Sequence, residues 1–166
     1  ITSTSGDMGV NVKSICFDSR KVKPGALFVA VKGTLSDGHA YIEKAVSLGA
    51  SVVVAEKLPE NISEKVTYVT VKSSAHALGV IAANFFGNPS HKLKLVGVTG
   101  TNGKTTVVTL LYKLFNSLGH RSGMLSTVVN KIVDKEIVAT HTTPDPIQIN
   151  ELLVQMLAEK CTHCFM

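Results

Sequence analysis

The sequence contains no tryptophan, and aromatics make up only 5% of its 166 residues. The core must therefore come from Val, Ala, Leu and Gly, a balance that suits an α/β protein with buried aliphatic strands. Cysteine is scarce, at three. An odd count with no secretory leader argues against a disulfide framework, and a cytoplasmic setting is the default expectation. Long apolar runs are also lacking. The charge-free stretch over 73–91 is broken by His76, Asn84, Gly87, Asn88 and Pro89, which excludes a membrane span there. Charged residues are 17% and hydrophobic ones 45%, so a packed core is expected and wholesale disorder is excluded. The formal net charge of +5 permits a phosphate-bearing ligand without demanding nucleic acid. The Lys-rich segment 21–32 holds one aromatic, Phe28, within an apolar strand pattern. It offers no stacking series and reads as a solvated face.

The chain opens on Ile1 and closes on the apolar run 164–166, so both ends are expected to be cuts in a longer protein. The first half reads as a small α/β unit. Strands are expected over 13–17, 26–31, 51–55 and 66–71. Ile42, Ala45 and Val46 mark a helix closed by Gly49, and Leu78, Ile81, Ala82 and Phe85 recur at helical spacing. Gly87-Asn88-Pro89 stops that second helix and begins the expected boundary, giving domains 1–90 and 91–166. The second half opens with a strand over 93–99. A helix follows, whose expected buried stripe is Val107, Leu110, Leu111, Leu114, Phe115 and Leu118. A strand over 122–126 and a hairpin turning on Asp134-Lys135-Glu136 come next. Asp145 then caps a helix with Pro146 at its first position. That helix buries Ile149, Leu152, Leu153, Met156 and Leu157, and a last strand runs over 161–166 as a bare apolar edge.

The sharpest signal is G-V-T-G-T-N-G-K-T-T over 97–106, set between an apolar strand and an amphipathic helix. This is the context of a phosphate loop. Gly100 and Gly103 let the backbone turn tightly and bring its N–H groups close to phosphate oxygens. The helix N-terminus adds partial positive charge. Lys104 can reach the β- and γ-phosphates of ATP as the catalytic cation, and the Thr105 hydroxyl can ligate Mg²⁺. The strict G-x-x-x-x-G-K-[ST] pattern wants glycine where this chain has Val98. The dinucleotide pattern G-x-G-x-x-G does not fit glycines at 97, 100 and 103.

The run G-T-N-G-K-T-T over 100–106 resembles the ATP loop of the Mur ligases, which build the peptide stem of bacterial peptidoglycan. Two further blocks occur in family order. The F-D-S-R-K-V-K-P-G-A-L-F-V-A run over 17–30, with Gly33, Asp37-Gly38-His39 and the segment 42–55, is similar to the N-terminal domain of the MurE and MurF types. H-T-T-P-D-P over 141–146 resembles the MurE type, which adds the third residue to UDP-N-acetylmuramoyl-L-Ala-D-Glu. MurF, which adds D-Ala-D-Ala, is the alternative within the family. The resemblance implies a small uridine-binding α/β domain followed by the first part of a P-loop-type α/β ATPase domain.

The resemblance also implies residue roles. Phe17 and Ser19 match positions that contact uracil and ribose, and Thr34, Leu35 and Ser36 match the loop that closes over the uridine. Thr142 and Thr143 match the pair that holds the sugar–peptide part, with His141 a further contact in some relatives. The implied chemistry is phosphorylation of the D-Glu carboxylate by ATP with Mg²⁺, then attack by the amine of lysine or diaminopimelate. It needs charge neutralisation more than covalent catalysis. A cytoplasmic monomer without nucleic-acid or membrane partners is expected. The family's remaining Mg²⁺ ligands, its carbamate-bearing lysine and its amino-acid-selecting domain have no match here, so this chain alone is expected to be inactive.

Plainer readings stand beside these. Cys161-Thr162-His163-Cys164 lacks the second ligand pair of a metal site and reads as buried strand cysteines. Asp18 and Arg20 can simply pair across a turn. From a different class, a non-catalytic P-loop module would explain 97–106 but has no reason to carry the 17–55 block.

Overall fold

The structure, a computed structural model, describes residues 1–33, 36–138 and 144–166. The chain forms two compact α/β units, Ile1–Ala82 and Ala83–Met166.

In the first unit the strands are β1 (Ser3–Ser5), β2 (Ser14–Cys16), β3 (Ala26–Val29), β4 (Ala50–Ala55) and β5 (Thr67–Thr70). Their order is β1-β5-β4-β3-β2, parallel from β2 to β5, with β1 antiparallel on β5. Val52, Val53 and Val54 are all buried, as befits a parallel strand with no water-facing side. Helix α1 (Ile42–Ser47) sets Ile42 and Ala45 against Phe28, Val53 and Tyr68 in one core. Gly49 closes it, donating its N–H to the Val46 carbonyl at 2.9 Å. β1 has no counterpart among the expected strands. Its Ser-Thr-Ser carries no apolar alternation, and only pairing with β5 makes it a strand.

Helix α2 (Ser74–Phe85) contains the division between the units. It buries Leu78 and Ala82, while Phe85 stays exposed with its edge to the Phe86 ring.

The second unit contains β6 (Lys94–Val96), α3 (Lys104–Ser117), β7 (Ser122–Met124), β8 (Val129–Ile132), β9 (Lys135–Val138), α4 (Pro146–Ala158) and β10 (His163–Phe165). The sheet order is β6-β10-β7-β8-β9, with β6, β10 and β7 parallel and β8 and β9 as an antiparallel extension. Residues on one strand alternate faces. On β10, Cys164 joins Leu152, Leu153 and Met156 of α4, whereas Phe165 joins Val108 and Tyr112 of α3.

Three expectations need correction. β10 is not a bare edge. It lies between β6 and β7, and β6 is the outer strand with all three residues exposed. The α3 stripe is rotated by about one position. Val108 and Tyr112 are buried with Leu111 and Phe115 half-buried, while Val107, Leu110, Leu114 and Leu118 are exposed. Both sets have helical spacing, and the position of Met124 and Phe165 selects one. The hairpin turns at Val133-Asp134 rather than over 134–136, leaving Lys135 and Glu136 in β9. Val133 is held there by its N–H on the Ser122 carbonyl and its own carbonyl on the Tyr112 hydroxyl.

Candidate functional site

Each unit carries a candidate site where strands of its sheet end. In the first unit a cavity of about 480 Å³ opens beyond the carboxyl ends of β2 and β3. Loops at that end of a parallel sheet are the usual place for ligands, because strand direction and crossovers leave a crevice there. The turn after β2 contributes Phe17, Asp18, Ser19 and Arg20. The segment after β3 contributes Val31, Gly33, Ser36 and Gly38, and the entry to α1 adds Tyr41 and Lys44.

Phe17, Ser19 and Ser36 therefore line one cavity. Thr34 and Leu35 lie outside the described residues. Asp18 and Arg20 both pair and line it. Asp18 Oδ1 caps the turn by accepting from the Arg20 N–H at 3.0 Å, and its two oxygens grip the guanidinium at 2.9 Å from Nε and 2.8 Å from Nη2. That side-chain bond is the main reason the Asp18 carboxyl is held down to about 2. Burial, then the Asp18 charge, pushes the Cys16 thiol up to about 11, so it is no nucleophile. Tyr41 and Lys44 were not foreseen. Their spacing puts them on one face of a helical turn, but only the fold brings that face to the turn after β2.

In the second unit β6 leads through residues 97–103 into α3. Gly103 caps the helix at φ 80, left-handed, where a side chain would be strained. No side chain caps the helix, and its first turn holds no acid. The leading N–H groups of α3 thus have neither an intrahelical partner nor a competing anion. Lys104 is exposed, and its ammonium folds back over the loop, donating to the Gly100 carbonyl at 2.5 Å and to that of Thr101 at 3.4 Å. A smaller cavity of about 190 Å³ takes Lys104 and Thr105 together with Ser126 and Thr127, which follow β7. Ser126 and Thr127 were not singled out in the sequence, and the Ser126 hydroxyl is engaged in its own turn, donating to the Val129 carbonyl at 2.7 Å. Pro144 lines the same cavity; His141, Thr142 and Thr143 lie outside the described residues.

This donor set fits a nucleotide phosphate with its divalent cation. It offers a cation, oriented N–H groups, a threonine hydroxyl and, among the described residues lining the cavity, no opposing carboxylate. The cysteines offer no alternative. Cys161 and Cys164 are buried and free, and burial raises both thiols, that of Cys164 to about 12. His163 and Cys164 are neighbours on β10 and face opposite sides of the sheet. Among the described residues no group of three or more His, Cys, Asp or Glu could hold a metal ion. Nor is any helix among them long and apolar enough to cross a membrane.

Two family profiles match the chain, the Mur ligase catalytic domain over residues 11–86 and the Mur ligase middle domain over 98–166. The chain belongs to the Mur ligase family. Within that family it matches the N-terminal part of ligases of the MurE type. It is 58% identical, over its whole length, to the UDP-N-acetylmuramoyl-L-alanyl-D-glutamate–2,6-diaminopimelate ligase of Cytophaga hutchinsonii, covering 34% of that protein. To the ligase of the same name from Phocaeicola vulgatus it is 51% identical, with 97% of the chain and 33% of that protein covered. The chain thus spans about a third of the length of these relatives. A solved structure of a ligase of that name superposes with a TM-score of 0.77 at 25% identity, covering 92% of the chain and 31% of the other. The MurF ligase of Thermotoga maritima, in complex with ADP, gives 0.57 at 26% identity, covering 93% and 31%.

Proposed function

We propose that this chain is the part of an ATP-dependent ligase that holds the uridine end of its substrate and the phosphates of ATP. The whole ligase would add the third stem residue to UDP-N-acetylmuramoyl-L-Ala-D-Glu during peptidoglycan synthesis. Identity of 58% across the full chain to a diaminopimelate ligase carries this reading. The MurE type is favoured over MurF by TM-scores of 0.77 against 0.57. Diaminopimelate is accordingly the third residue we assign. The domains are 1–90 for the uridine substrate and 91–166 for the nucleotide. The reaction runs in the cytoplasm, in a monomer without nucleic-acid or membrane partners.

Phe17, Ser19 and Ser36, with Thr34 and Leu35, are assigned to the uridine end, and His141, Thr142 and Thr143 to the sugar–peptide end. Gly100, Thr101, Asn102, Gly103 and Thr106 present backbone N–H groups to the nucleotide phosphates. Lys104 would move its ammonium from the Gly100 carbonyl to a phosphate oxygen, and the Thr105 hydroxyl would hold Mg²⁺. When bound, that metal would supply charge neutralisation to the nucleotide phosphates. A D-Glu carboxylate oxygen bonds to the γ-phosphorus as the bond to ADP breaks, giving an acyl phosphate. The amine of the incoming amino acid then forms the amide and releases phosphate.

A chimera tests the reading. Residues 1–166 would replace the matching third of the Cytophaga hutchinsonii ligase, and phosphate release would be followed with UDP-N-acetylmuramoyl-L-Ala-D-Glu and diaminopimelate. A folded chimera should turn over, and should lose activity on Ser19→Ala or Lys104→Ala. A folded but inactive chimera refutes the proposal.

A further inference from the structure

The Asp37-Gly38-His39 run has no role in the scheme above, yet each of its residues meets a specific demand. Asp37 Oδ1 accepts from the His39 backbone N–H at 3.0 Å and lies 2.6 Å from His39 Nδ1. On the other side of the ring, His39 Nε2 lies 3.0 Å from the backbone nitrogen of Glu56, just beyond β4. A backbone N–H can only donate, so Nε2 is the acceptor and the ring proton sits on Nδ1, facing Asp37. The ring is neutral in this arrangement, and a proton on Nε2 would oppose the Glu56 N–H. The charged groups around it are Asp37, Glu56 and Lys32. The Glu56 carboxylate is in turn used at the start of α2, accepting from the Ser74 N–H at 2.9 Å and the Ser74 hydroxyl at 3.0 Å.

Gly38 sits where a Cβ would come within 2.7 Å of both N and O of Val31, so no side chain fits. Its N–H donates to the Val31 carbonyl at 2.9 Å, while Gly33 donates to the Ser36 carbonyl at 3.0 Å. Gly33, Ser36 and Gly38 form one wall of the 480 Å³ cavity. That wall is surface backbone with little apolar packing. Backbone bonds at Ala30 and Gly38 and a bridge between Lys32 and Asp37 hold its base, and the chain from Asp37 through the His39 ring to Glu56 adds a side-chain tie to the end of β4. The His39 side chain is only 18% exposed and its bond from the Glu56 N–H is partly shielded from water, whereas the Asp37 end is open to solvent. The hydrogen bonds that His39 donates, from its backbone N–H and then from its ring, hold the Asp37 carboxyl below its ordinary range.

We infer that His39 is a positioning residue for this cavity: its ring latches the wall of Gly33, Ser36 and Gly38 to the end of β4, and the latch sets the affinity for a nucleoside diphosphate. This rests on the proposal that the first unit holds the uridine end of the substrate. His39 does not touch the ligand. It acts by holding ligand-facing backbone in one arrangement before binding, so that less ordering remains to be done on binding.

The test is calorimetric titration of UDP into the 166-residue chain, with thermal unfolding and amide exchange at Gly33 and Gly38 measured alongside. His39→Ala removes both ring bonds, one of them to a carboxylate. UDP affinity should fall about tenfold or more, with faster exchange at the two glycines and a cooperative unfolding transition retained. His39→Gln keeps an acceptor within reach of the Glu56 N–H and should recover most of the affinity. A purely architectural histidine would lower the unfolding temperature and leave the UDP affinity of the folded protein within about twofold; that result overturns the inference while the uridine reading stands. If His39→Ala does not fold, His39→Asn, which keeps a polar group beside Asp37 but loses the acceptor for the Glu56 N–H, decides: a fall of about tenfold in a folded variant supports the latch, and affinity within about twofold refutes it. Failure of the unsubstituted chain to bind UDP would overturn the uridine reading and this inference together.

Discussion

Lys104→Ala separates the proposed nucleotide role of the loop from its architecture. The Lys104 side chain is exposed, and its hydrogen bonds are to the Gly100 and Thr101 carbonyls of its own loop. Truncation opens both carbonyls to water and leaves nothing buried without a partner. Alanine is also a strong helix former at the first position of α3. The change in stability should therefore stay within about 0.5 kcal/mol. Binding should respond very differently. A charge-assisted hydrogen bond to phosphate contributes about 1.5–3 kcal/mol. That is roughly a tenfold to 150-fold loss in affinity for ADP with Mg²⁺. In the chimeric ligase the loss of turnover should be on the order of 10² or more, because charge on the γ-phosphate grows toward the transition state. Calorimetry of ADP with Mg²⁺ and thermal unfolding, run on the same preparations, give both numbers. Unchanged ADP affinity in a folded variant would refute the placement of Lys104 against phosphate. A large fall in unfolding temperature would show that its carbonyl contacts hold the loop together.

Other consequences are as specific. Asp145 accepts from the Ile147 and Gln148 N–H groups at 2.9 and 3.0 Å, so Asp145→Ala should cost about 1 kcal/mol of the second unit's stability in urea unfolding. Phe165 is fully buried between β10 and α3, and Phe165→Ala should cost about 3–5 kcal/mol, whereas Leu118→Ala on the exposed side of α3 should cost well under 1 kcal/mol. The Asp18 carboxyl is lowered from 3.8 to about 2 by its bond to Arg20. The pair's contribution is thus complete above about pH 4 and lost as pH falls toward 2. A carboxyl titration by NMR with its midpoint near 3.8 would show that the pair does not form.

Local chemistry in the sequence determined a good deal by itself. The glycines and lysine of the phosphate loop, the Asp145-Pro146 helix start and the valine-rich β4 each depend on near neighbours, and near neighbours are what a sequence displays. The 97–106 run could be read as a phosphate loop for the same reason, since the donors proposed for it come from one continuous stretch. Phe17, Ser19 and Ser36 were placed only by family resemblance, because nothing local marks them. Tertiary structure decided what depends on remote partners. Val107 and Val108 begin two equally regular apolar stripes on α3, and the choice fell to Phe165 and Met124, contributed by β10 and β7. β1 is a strand only because β5 offers it an edge, and β10 is central only because its crossover inserts it between β6 and β7. Tyr41 and Lys44 reach the first cavity because α1 packs beside the turn after β2. His39 shows the same limit most plainly: its neighbour Asp37 was visible, whereas its partner at Glu56 lies 17 residues on, and only folding brings that backbone N–H to the ring.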